Sequence, residues 1–146
     1  MKRFFEVMYP YGTMPVRGTV NSAGYDLYAP HGATIGPGET VLFKLGVRAF
    51  MQPDEVLMLH VRSSVGIKKG LILANATGVI DSDYYGNESN GGEICVCLRN
   101  VSDKPCYIAQ GEKIAQGVFM KYLIADNDTT QAKRTGGVGS TDGTTK

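Results

Sequence analysis

Short apolar and β-branched runs, each closed off by turn-forming residues, recur along most of this chain, and no segment sustains apolar residues at helical period. The runs are Phe4 to Met8, Tyr25 to Tyr28, Glu39 to Leu45, Val56 to Val61, Leu71 to Ala74, Ile94 to Leu98, Cys106 to Ile108 and Ile114 to Tyr122. Between them stand Tyr9-Pro10, Ile35-Gly36-Pro37-Gly38, Gln52-Pro53-Asp54, Tyr85 to Gly92, Ser102-Asp103-Lys104-Pro105 and Gln110-Gly111-Glu112. Even spacing of this kind predicts an all-β sandwich or barrel. One short helix is expected at Ser63 to Lys68, and an α/β nucleotide fold is not expected.

The pattern stops near Ala125-Asp126. From 126 to 146 the apolar residues are Ala132 and Val138 alone, too few to build a core. The expected organisation is therefore one β domain over 1–125 and a flexible C-terminal arm over 126–146. A net charge of +1 gives no wide basic face for nucleic acid. The basic N-terminus, Met1-Lys2-Arg3, leads into no long apolar stretch, and no run approaches a membrane span, so a cytoplasmic protein is expected. Cys95, Cys97 and Cys106 match no metal knuckle or disulfide framework; Cys95 and Cys97 share one face of a strand and read as reduced core thiols.

Five segments carry polar chemistry that strand packing does not require. In Ala23-Gly24-Tyr25-Asp26-Leu27, Asp26 falls between apolar neighbours and either meets cations and donors or faces solvent at the strand start. Arg62-Ser63-Ser64 sets two hydroxyls before the short helix, as an anion site or as an ordinary cap. Asn75-Ala76-Thr77-Gly78-Val79-Ile80-Asp81-Ser82-Asp83-Tyr84 predicts a two-stranded ribbon turned at Gly78. Its backbone and the Asn75 amide would read a planar base and Asp81 would orient and deprotonate a water, or else Asp81-Ser82-Asp83 beside tyrosine is a polar turn. In Gly111-Glu112-Lys113-Ile114-Ala115-Gln116, the Gln116 amide either caps a neighbouring strand or binds a ligand. The arm holds Arg134-Thr135-Gly136-Gly137-Val138-Gly139-Ser140-Thr141, a phosphate clamp of exposed amides, hydroxyls and one guanidinium, or else a solvated tail.

In this order and at this spacing, the five segments resemble the five motifs of the trimeric dUTP diphosphatases (dUTPases), a likeness running from about Ala23 to Thr141. The resemblance implies a jelly-roll-like β-sandwich that assembles as a homotrimer, with active sites at subunit boundaries and each arm closing over a site on another subunit. It implies hydrolysis of dUTP to dUMP and pyrophosphate by water attack on the α-phosphorus, with Mg²⁺ carried mainly by the phosphates. Asp81 then matches the catalytic carboxylate, Asn75 with Gly78 and Val79 the uracil reader, and Tyr84 the ring beneath deoxyribose. Arg62, Ser63, Ser64 and Gln116 match the phosphate holders; Arg134, Gly137, Val138, Gly139, Ser140 and Thr141 match the closing strap. Asp26 matches a carboxylate supporting the site through water and metal, and Lys113 stands in a supporting position where arginine is usual.

Some positions depart from the family pattern. Val138 replaces an aromatic residue that covers uracil, where base stacking contributes roughly 1–3 kcal/mol. Asn87-Glu88-Ser89-Asn90-Gly91-Gly92 lengthens a turn that is tight in many relatives, and a ring at the start of this loop, Tyr85, is expected to replace the lid. Asp142 stands where glycine is usual. A dCTP deaminase of the same superfamily would need a glutamate where Cys97 falls, and a nucleotide-sensing regulatory protein would not need Asp81. No protein partner is legible from the residues.

Overall fold

A computed structural model describes residues 1–139 and residue 142. Its strands are β1 (Phe4–Val7), β2 (Val16–Arg17), β3 (Tyr25–Tyr28), β4 (Ala33–Ile35), β5 (Thr40–Lys44), β6 (Val47–Phe50), β7 (Glu55–Val61), β8 (Leu71–Leu73), β9 (Gly78–Asp81), β10 (Cys95–Asn100), β11 (Cys106–Ile108) and β12 (Lys113–Lys121). Among the described residues, α1 (Ser63–Lys69) is the one α-helix, and none is long and apolar enough to cross a membrane. The all-β expectation holds, with each predicted strand present and its ends moved by at most two residues.

Three strands have no counterpart in the sequence reading: β2, β4 and β6. Two are only two or three residues long, and β6 follows β5 so closely that the run shows no break. β9 opens on a glycine that the sequence suggests as a turn. The turn lies earlier, at Asn75–Thr77, where Ala76 takes φ 63°. Gly78 instead starts β9 opposite Leu59, where a Cβ would come within 2.8 Å of the Leu59 Cβ. The ribbon turned at Gly78 is thus corrected: β8 joins β10 while β9 joins β7, so the two strands part into different sheets.

The largest sheet runs β2-β3-β12-β7-β9; β5-β10-β8, β1-β6 and β11-β4 form the others. All enclose one core, because most strands turn alternate residues inward, a register shift in β12 between Lys113 and Ala115 letting the consecutive Ile114 and Ala115 both point in. Leu27, Leu57, Leu59, Ile114 and Ala115 from the five-stranded sheet meet Phe43, Leu71, Val96, Leu98 and Ile108 from the others. β10 shows the alternation well, with Val96, Leu98 and Asn100 buried. Cys95 and Cys97 share a face as expected, but it is the outward one. Both are half-buried free thiols, so their assignment to the core is corrected, whereas Cys106, also a half-buried free thiol, packs against the core.

Candidate active site

β7 positions the site because it pairs on both sides. On one side β9 sets Asp81 opposite Val56 and Gly78 opposite Leu59. On the other, β12 sets Gln116 opposite His60. After Asp81 the chain makes a 3-10 turn at Ser82–Tyr84, which buries the Tyr84 ring to 8% exposure. The Tyr84 hydroxyl donates to the Glu93 carbonyl at 2.6 Å and accepts from Asn90 Nδ2 at 2.8 Å. Burial raises its pKa, so the phenol stays protonated at neutral pH.

These elements enclose a cavity of about 260 Å³, lined by Asn75, Gly78, Val79, Asp81 and Tyr84 together with Arg134, Gly137, Val138 and Gly139 of the arm. The third and fifth predicted segments therefore meet. Arg134 carries the closure: its guanidinium pairs with Asp81 Oδ2 and, through Nε, with Asp83 Oδ1 at 2.7 Å. Its Cζ stands 5.9 Å from the centre of the Tyr84 ring. An arginine fork spread over two carboxylates fixes orientation as well as charge. Within this single chain the arm lies over its own chain's pocket, whereas the resemblance implies closure over another subunit. Ser140 and Thr141 lie outside the described residues.

The first, second and fourth segments build a separate cluster at the far end of β7. Asp26, 5% exposed, takes Arg62 Nε on one oxygen and Lys113 Nζ on the other, each at 3.0 Å. The alternative in which it faces solvent is excluded, and both oxygens are engaged by cations. Ser63 and Ser64 open α1 with exposed side chains, and no side-chain bond caps the helix at Arg62. Gln116 Nε2 donates to the Val61 carbonyl at 3.4 Å, the strand-capping role. Gly24 leaves the space for it, since a Cβ there would collide with Gln116 Oε1.

Tyr85 does not line the pocket, which corrects its expected part as a substitute lid. Its hydroxyl donates to Glu6 at 2.8 Å, Arg48 stacks over its ring at 4.3 Å, and Phe4 and Phe50 meet it edge-on. The hydrogen bond to Glu6 raises the Tyr85 pKa. The ring is drawn away because β1 and β6 offer an apolar slot with a carboxylate at its rim. Sequence reasoning also passed over Asp83, Ser89, Asn90 and Glu93 as site residues. Of these, Asp83 stood in plain view beside Asp81, whereas the buried Glu93, which accepts from Tyr11 and the Gly46 amide, gave no local signal.

A family model described as dUTPase matches residues 10–142 of the chain. The deoxyuridine 5'-triphosphate nucleotidohydrolase of Lactococcus lactis subsp. lactis (strain IL1403) is 47% identical over 145 residues, covering 95% of this chain and 97% of that protein. The crystal structure of dUTPase from Streptococcus mutans is similar with a TM-score of 0.77 and 43% identity, covering 85% of this chain and 99% of that one. The dUTPase from phage phi11 of S. aureus, at 19% identity and a TM-score of 0.74 over 90% of this chain and 98% of that one, shares the fold; a variant of that phage enzyme coordinates a structural Mg(II) ion.

Proposed function

This chain belongs to the dUTPase family, and from that premise we propose that it hydrolyses dUTP to dUMP and pyrophosphate, with Asp81 orienting the water that attacks the α-phosphorus. The observation that carries this reading is the convergence of Asn75, Gly78, Asp81 and Tyr84 with the glycine-rich arm around one cavity. Each part has a task there. The Asn75 amide and the backbone at Gly78 and Val79 offer donors and acceptors to a uracil edge. The Tyr84 ring forms an apolar floor for deoxyribose. Asp81, half-exposed at 49%, can hold a water and take its proton. Arg134 and the amide of Gly139 supply positive potential where charge builds on the leaving pyrophosphate.

Arg62, Ser63, Ser64 and Gln116 are the proposed phosphate holders, with Asp26 keeping the Arg62 guanidinium in place and Lys113 pairing with the other Asp26 oxygen. They cannot serve the Asp81 of their own chain. Asp81 stands opposite Val56 and Arg62 follows Val61, so at about 3.3 Å per residue the two groups are roughly 20 Å apart along β7. A phosphate chain and its attacking water must lie within hydrogen-bond reach of both. A complete site therefore takes its two halves from different copies, which supports the homotrimer with shared sites, its arms free to close in trans.

Among the described residues no group of three or more His, Cys, Asp or Glu side chains converges as a metal site. Asp26 has both oxygens on cations, and Asp81 and Asp83 face Arg134, so the donor set fits a Mg²⁺ held mainly by the substrate phosphates. When bound, that ion would neutralise phosphate charge and hold the chain in one conformation. The test is pyrophosphate release by the purified protein from each canonical nucleoside triphosphate with Mg²⁺. Selective release from dUTP is expected; equal turnover of dTTP or UTP, or ammonia from dCTP, would overturn the reading.

A further inference from the structure

The loop at 87–92 is the part of the pocket's surroundings that the proposed reaction does not use, and it touches the arm. Asn87 is buried, and its amide nitrogen donates to the Tyr84 carbonyl at 2.8 Å and to Asn90 Oδ1 at 2.7 Å. Asn90 in turn donates to the Tyr84 hydroxyl at 2.8 Å. From below, Arg48 Nη1 donates to the Gly91 carbonyl at 3.0 Å. The loop is thus wired to the ring that floors the pocket and braced by β6. One more group completes it: the Ser89 hydroxyl donates to Asn87 Oδ1 at 2.9 Å and accepts the Gly137 N–H at 3.1 Å.

The chemistry of that hydroxyl is directional. A serine has one hydrogen to give, and Asn87 takes it, so the lone pairs are what Ser89 presents to the arm. A backbone N–H of a glycine strap is the complement. Gly137 also lies against the loop and the ring, since a Cβ there would be in ordinary contact with Asn90 Nδ2 and Tyr84 Cε2, each at 3.5 Å. Register matters because Arg134 sits three residues upstream, where a shift of one residue would carry its guanidinium off Asp81 and Asp83.

We propose that the 87–92 loop is a docking platform for the arm, with Ser89 the positioning residue that sets the strap's register over the pocket by accepting the Gly137 N–H. This rests on the reading of the pocket as the dUTP site and of the arm as its closure. It holds whether the arm comes from the same chain or a neighbour.

The test uses Ser89→Ala and Ser89→Thr in the full chain and in a chain lacking 126–146. In the full chain Ser89→Ala is expected to raise KM for dUTP about fivefold, the worth of one hydrogen bond, and Ser89→Thr to restore it. In the shortened chain the alanine change is expected to do nothing. An equal effect in both backgrounds would make Ser89 merely structural and overturn the proposal, as would no effect in the full chain. Trypsin cleavage at Lys133 and Arg134 gives a readout independent of catalysis. Faster cleavage of Ser89→Ala than of the parent chain is expected, and an unchanged rate would overturn the platform. If cleavage quickens while the parent protein leaves dUTP intact, the platform stands and the substrate assignment fails.

Discussion

Arg134 reaches from the arm to Asp81, and the same guanidinium holds Asp83 with its Nε at 2.7 Å. Arg134 is 11% exposed in this arrangement and Asp81 49%, so the arginine is the covered partner and the carboxylate keeps an open side. That open side is where a water can be held, and it makes Asp81 the residue whose loss should separate chemistry from binding. Asp81→Asn is expected to lower kcat by about 10²- to 10⁴-fold, the usual worth of a general base. Calorimetry with a non-hydrolysable dUTP analogue should show affinity within a few-fold of the parent. A kcat close to the parent's would remove Asp81 from the reaction.

Removal of 126–146 should cost activity without costing the fold. The arm brings only Ala132 and Val138 as apolar residues, and Val138 is exposed. The melting temperature is therefore expected to move by no more than a few degrees, while most dUTP turnover disappears. Calorimetric scans beside a pyrophosphate assay measure both. Normal turnover by the shortened chain would leave the strap without a catalytic task.

Tyr85→Ala should behave in the opposite way. The ring is packed against Phe4, Phe50 and Arg48 and its hydroxyl bonds Glu6, all away from the cavity. A loss of about 2 kcal/mol in stability is expected from denaturant titration, with KM for dUTP unchanged. A raised KM at unchanged stability would return the ring to the pocket.

Acid should expose the tie between the N-terminus and β7. Arg3, and then the Gln52 backbone N–H, hold the Glu55 carboxyl down at about 2, from an ordinary value of 4.5. Its folded value is the lower one, so the stabilisation is present above about 4.5 and fades as pH falls from there toward 2. Thermal melts between pH 6 and 2 should therefore fall less steeply for Glu55→Gln than for the parent. Parallel curves for the two proteins would show that this pair does not shape the acid limb.

The strand pattern was legible because β-branched alternation and turn residues are local signals, and so were the five polar segments, since each breaks that pattern where a core has no use for it. Asp26 shows how far this reaches. Its need for a partner followed from its neighbours, but that Arg62 and Lys113 would be the partners depends on β3, α1 and β12 meeting in space. Tyr85 shows the limit more sharply. Nothing near residue 85 reveals that Phe4, Glu6, Arg48 and Phe50 wait for its ring, because that slot is made by strands some 35 to 80 positions earlier. Cys95 and Cys97 failed for a related reason: period two gives a shared face, and only the packing of β10 against β5 and β8 decides which face looks inward.

The span of β7 has a genetic and a practical outcome. With Asp81 at one end and Arg62 at the other, the proposed division of the site between copies predicts that activity is lost on dilution to lone molecules even when every chain is correctly folded. Two crippled variants, Asp81→Asn and Arg62→Ala, mixed under conditions that let protomers exchange, should regain part of the activity that neither has alone, since some mixed assemblies unite an intact half from each parent.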